Sequence, residues 1–132
     1  VEDNAYALMR TIDGIVGMLH SSATQWRHRF SLDINLEKGS INLGGILSGS
    51  KSYGAETLSV VWANPDNDNG DPKEQTTRYN KDPSWATEIE VFTASIKNNI
   101  DIDNGGSNDA LLTMKLVYDI YNADKQWQEK LR

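Results

Sequence analysis

Cysteine is absent from this sequence of 132 residues. Disulfides, thiolate metal sites and cysteine nucleophiles are excluded together, and the cytoplasm is the expected compartment. Long hydrophobic runs are absent too. No stretch approaches the roughly 20 apolar residues of a membrane helix, so neither a membrane span nor a membrane partner is expected. Positive charge is scarce: 13 basic residues face 19 acidic ones, for a net charge of -6. A chain of that sign repels a phosphate backbone unless its basic residues gather on one face. The only dense basic cluster is Arg27-His28-Arg29. Placed on a strand, these three would alternate between two faces, so no nucleic-acid partner is expected. The only histidines, His20 and His28, lack the i, i+4 helical spacing of a zinc pair, and no Gly-x-Ser-x-Gly elbow precedes a helix.

What is present reads as α+β: a mostly antiparallel open sheet of about six strands followed by two packing helices. Residues 2–12 and 15–22 flank Asp13-Gly14, a pair suited to a type I′ hairpin turn. From Phe30 to Glu37 the alternation is strict, with Phe30, Leu32, Ile34 and Leu36 on one face and Ser31, Asp33, Asn35 and Glu37 on the other. Strands follow over 40–47, 56–63 and 74–80. After Asp82-Pro83 the period becomes helical: Trp85, Ile89, Phe92 and Ile96 form one apolar stripe. Past Gly105-Gly106, with Ser107 as the expected N-cap, Ala110, Leu111, Met114, Val117, Tyr118 and Tyr121 form a second.

Three segments invite a chemical reading. Gly44 and Gly49 have P-loop separation, but Ser50 stands where the lysine belongs, Lys51 comes one residue late, and a strand rather than a helix is expected to follow. Asn64, Asp66 and Asp68 have the spacing of a calcium loop, but Asn69 replaces the sharp-turn glycine and Gln75 the closing glutamate. A solvated hairpin tip is the simpler account. Ser21 to Arg29 places an indole, an amide, two guanidiniums and an imidazole on one connection. Aromatic faces stack on sugar rings, and Gln, Arg and His hold hydroxyls or a phosphate. The competing reading has Trp26 plugging a sheet edge and the basic residues solvated.

The order of segments, Tyr6 to Leu43, then Ser52 to Trp62, a Trp-bearing helix and Asn104 to Ala123, resembles the C-terminal domain of the glucose-fructose oxidoreductase, inositol dehydrogenase and MocA family. Asp13-Gly14, Glu37-Lys38-Gly39, Gly54-Ala55-Glu56 and Asp109-Ala110 carry the likeness, which covers nearly the whole chain. The resemblance implies a parent oxidoreductase that uses NAD or NADP on a sugar, sugar nucleotide or polyol. It implies an N-terminal Rossmann domain with a Gly-rich fingerprint, a Glu-Lys-Pro motif and an Asp-x-x-x-His pair; none of these occurs here.

Residues 1–132 are therefore expected to be one substrate-side and dimerisation sheet domain, cut from its dinucleotide-binding partner and inactive alone. No cofactor is expected on it. Gln25, Trp26, Arg27 and His28 are the implied substrate contacts, and the open sheet the implied homo-oligomer surface. The alternative is a free-standing small-ligand-binding or assembly module. A third option is a calcium-dependent domain using the loop from Asn64 to Asp71.

Overall fold

The computed structural model describes residues 3–47, 53–64 and 72–130. The Lys51 end of the near-P-loop and the aspartates at 66 and 68 of the suggested calcium loop lie outside them. The chain divides into two compact units, one of Val1–Ala23 with Trp85–Arg132 and the other of Thr24–Ser84.

The first unit opens with a hairpin of β1 (Asn4–Arg10) and β2 (Val16–Ser22), in register from Asn4 opposite Ser22 to Arg10 opposite Val16. Its loop is not the expected type I′ turn. That turn needs positive φ at both central residues, yet Asn99 is the only non-glycine described residue with positive φ, while Gly14 has φ 96°. The Gly14 N–H donates to the Thr11 carbonyl at 3.1 Å, and the Ile15 N–H to the Thr11 hydroxyl at 2.9 Å. Thr11 thus supplies a wider loop in which glycine alone turns left-handed. Across the ladder, Tyr6 and His20 stack with centroids 4.3 Å apart and planes 7° from parallel.

Helix α1 (Ser84–Asn98) starts where expected and stops at Asn99. Asn99, with φ 52°, donates to the Ile96 carbonyl, and Ile100 donates to that of Ser95. This pair of bonds is a Schellman stop with asparagine in the left-handed position. Helix α2 (Ser107–Ala123) is capped by Gly106 rather than by the expected Ser107. Asp109 reaches back to accept from the Gly106 N–H at 3.0 Å, so the acidic side chain of the first turn takes over the capping. A third helix not anticipated from the sequence, α3 (Lys125–Lys130), follows. Asp124 accepts from the Gln126 N–H at 2.8 Å, and Trp127 packs edge-on against Tyr121, centroids 5.4 Å apart.

The second unit is a four-stranded antiparallel sheet in the order β3 (Ser31–Leu36), β4 (Gly39–Gly44), β5 (Glu56–Trp62), β6 (Glu74–Tyr79). The α+β class holds, with the six strands divided between sheets of two and four. The register aligns Leu32, Leu43 and Leu58 in one row and Ile34, Ile41 and Val60 in the next. Since side chains alternate between faces, these rows and Leu36 and Trp62 share one apolar face.

The opposite face is polar. Asp33, Asn42, Ser59 and Thr76 form a row across all four strands. The Ser31 hydroxyl and the Asn42 amide donate to the two carboxylate oxygens of Asp33. The Thr76 hydroxyl donates to Glu74 at 3.0 Å, and its single proton is then spent, so Ser59 is the donor in the 2.6 Å bond to Thr76.

Among the described residues no hydrophobic side chain is buried, and Ser95, 8% exposed, is the only buried residue. Leu32, Leu36 and Trp62 on the sheet and Trp85, Ile89, Phe92 and Ile96 on α1 all stay exposed. A sheet or helix with one apolar side is stabilised by covering that side.

Candidate functional site

The connection from β2 to β3 and the return from β4 to β5 meet at one end of the four-stranded sheet. Between them lies a cleft of about 590 Å³, within the size range of small-molecule sites. Three places in the sequence build it.

The first wall is the approach to β3. Gln25, Arg27, His28 and Arg29 all line the cleft. The Arg27-His28-Arg29 cluster does not lie on a strand, because β3 begins only at Ser31. An irregular approach is not bound to a two-faced alternation, and all three residues line the same cavity. Trp26 is outside the lining and 96% exposed, so its indole neither joins the cleft nor plugs a sheet edge.

The floor comes from the polar face, through Asp33 and Asn42. Asp33 is held by Ser31 and Asn42, which fixes its carboxylate and uses one position on each oxygen. The other wall is the β4–β5 return, with Gly44, Gly45, Tyr53, Gly54 and Ala55. Strand β4 ends at Gly44 rather than running to Leu47, because Gly45 turns to φ 73°. A Cβ on Gly45 would stand 2.0 Å from the Ala55 carbonyl oxygen, so only glycine lets the two segments pass this closely. The Gly45 N–H donates to the Phe30 carbonyl at 3.0 Å, which ties the return to the approach. Tyr53 faces His28 across the opening, ring centroids 5.2 Å apart.

Arg27 and Arg29 make no ion pair or hydrogen bond among the described residues. Two arginines and one aspartate line the cleft, so its lining has an excess of positive formal charge although the chain carries -6 overall. Among the described residues, the carboxyls held below the usual carboxylate range, Asp13 by the Thr11 hydroxyl and Asp82 by Ser84, lie elsewhere.

His20 lies on β2, stacked on Tyr6, and no group of three or more His, Asp or Glu able to hold a metal occurs among the described residues. The cleft residues do not fit a nicotinamide dinucleotide. Such a pyrophosphate is seated where a strand passes through a Gly-rich turn into a helix N-terminus, whereas Gly44-Gly45 leads from strand β4 towards strand β5. No helix of the described residues is long and apolar enough to cross a membrane.

Asp33, Asn42, Gly45 and Tyr53 escaped the sequence reading. The strict alternation around Asp33 was a usable signal, since it marks the polar face that becomes the floor. Comparisons with protein-family models, curated proteins and solved structures return no match.

Proposed function

We propose that this chain is the substrate-side and assembly sheet domain of an NAD- or NADP-dependent oxidoreductase of the cytoplasm, acting on a sugar, sugar nucleotide or polyol. The observation that carries the reading is the cleft, where Gln25, Arg27 and His28 come together over an Asp33–Asn42 floor. Amide, carboxylate, guanidinium and imidazole groups offer the directional donors and acceptors that a polyhydroxylated ligand requires. The one-sided apolar patterning of the four-stranded sheet favours a chain that works inside a larger assembly, including further copies of itself.

Within this proposal a separate dinucleotide-binding domain supplies the cofactor, and the nicotinamide ring accepts or gives the hydride. This chain holds and orients the carbinol substrate. The gene sequence ahead of Val1 is the direct test. About 150 to 200 residues carrying a βαβ dinucleotide fingerprint there would support the proposal; a start codon or signal peptide immediately ahead of Val1 would refute it. A calorimetric titration showing micromolar NADH binding to this chain alone would also count against it.

A free-standing ligand-binding module is the second reading. It is favoured by one observation: every residue lining the cleft belongs to the unit Thr24–Ser84. The same upstream sequence separates the two.

A further inference from the structure

The geometry points to an anionic ligand: the cleft takes a polyhydroxylated small molecule that carries a phosphate or carboxylate, with Arg27, His28 and Arg29 on the anion and the Asn42 side of the floor on the hydroxyls. This deepens the proposed function and rests on the reading of the cleft as a small-molecule site.

Charge is the first argument. In a chain with six more acidic than basic residues, chance placement would not favour a cavity with two guanidiniums and an imidazole against one carboxylate. A neutral sugar needs no such excess. The excess attracts anions and, in a concave site, concentrates them.

The second argument is the state of each group. Asp33 already accepts from Ser31 and Asn42, so its charge is partly met from within the sheet. Arg27 and Arg29 have no carboxylate partner among the described residues. Guanidinium forks bind phosphate and carboxylate through paired N–H donors, which a hydroxyl cannot match.

The third argument is shape. Arg27 and Arg29 flank His28, whose ring is set opposite Tyr53, and all three basic residues are on the wall rather than the floor. The amide of Asn42 and the Asp33 carboxylate face the remainder of the ligand, where hydroxyls can both donate and accept.

The test is a titration of the full chain, followed by amide chemical shifts and calorimetry, with glucose, glucose 6-phosphate, glucuronate and inorganic phosphate. Charge-assisted hydrogen bonds should make glucose 6-phosphate or glucuronate bind at least about tenfold more tightly than glucose. The stronger of the two identifies the anion. The double variant Arg27→Gln/Arg29→Gln should erase that preference, bringing the charged analogues down to the affinity of glucose. Arg78→Gln, on β6 and outside the cleft, controls for bulk charge and should change nothing.

Equal binding of glucose and its charged analogues, or a preference that survives the double variant, would overturn the inference and leave the proposed sugar site standing. Inorganic phosphate binding as tightly as glucose 6-phosphate would reduce the cleft to a plain anion site and overturn the polyhydroxylated part. No binding of any of the four would sink both readings together. Circular dichroism of the variants guards against misfolding, and if the double variant unfolds, the single Arg29→Lys variant, with its charge kept and its fork removed, should show a weakened preference instead.

Discussion

His28 and Tyr53 face each other with ring centroids 5.2 Å apart and planes inclined by 45°, although one belongs to the approach to β3 and the other to the return from β4. This pairing joins two segments with no strand pairing between them. Tyr53→Phe should keep it, because the ring contact does not use the hydroxyl. Tyr53→Ala should remove it, moving the His28 ring-proton resonances towards their positions in an unstructured peptide. The stability loss should be about 0.5–1 kcal/mol, the scale of an aromatic pair at a partly exposed site. Unchanged His28 resonances in Tyr53→Ala would show that the rings do not meet in solution.

The same return makes a sharper prediction through its glycines. Gly45 and Gly54 both have positive φ, 73° and 82°, but their surroundings differ. A Cβ on Gly54 would meet nothing within 4 Å, whereas on Gly45 it would stand 2.0 Å from the Ala55 carbonyl oxygen. Gly54→Ala should therefore cost only the left-handed penalty, about 1–2 kcal/mol. Gly45→Ala adds a backbone clash and should cost more, with loss of the Gly45–Phe30 hydrogen bond. Urea midpoints of the two variants give the order directly, and equal midpoints would contradict the close approach.

How far the sequence foretold this architecture depends on how local each signal is. Strand β3 was legible because its alternation is a period-2 pattern set by its own residues. Helix α1 was legible from its stripe and from Asp82-Pro83, but its end at Asn99 was not, because asparagine takes the left-handed position only when Ser95 and Ile96 offer their carbonyls. Helix α3 spans six residues, too few for a periodic stripe, and its one local sign is Asp124. At the site, Gln25, Arg27 and His28 were visible in the sequence as residue types, and the structure places them on the cleft. The contributions of Asp33, Asn42 and Tyr53 depend on sheet register and on a returning loop, which no local pattern encodes. Trp26 is 96% exposed and outside the cleft lining, so its indole does not plug a sheet edge.

The last turn of the chain tests that account. Trp127 sits edge-on to Tyr121, with planes at 73°, and the Gln128 amide donates to the Asn122 carbonyl at 2.7 Å. So short a helix does not persist in isolation. Trp127→Ala should therefore release α3 as a unit, with rapid amide exchange over 125–130 and a loss of about 0.5–1.5 kcal/mol. Gln128→Ala, which removes the amide bond alone, should have the smaller effect. Protection that survives in Trp127→Ala would mean that Asp124 capping is enough to hold the helix.

Acid should act on α1 through Asp82. Its carboxylate accepts from the Ser84 N–H at 3.0 Å and from the Ser84 hydroxyl at 2.6 Å, and these bonds, the hydroxyl first, hold its pKa below the usual carboxylate value. A group whose folded pKa is depressed binds its proton more readily in the unfolded chain. Its contribution is present above the unfolded pKa, near about 4, and is lost as pH falls through the lower folded value. Helicity at 222 nm should thus decline at the acid end of the titration. Asn caps a helix about as well as Asp but does not titrate in this range. Asp82→Asn should match the parent near neutrality and show a shallower acid decline, while Asp82→Ala should be less helical throughout. The difference between the Asp82→Asn and parent profiles isolates this carboxyl from the other acidic groups. Superimposable profiles would show that Asp82 is not the acid-sensitive cap of α1.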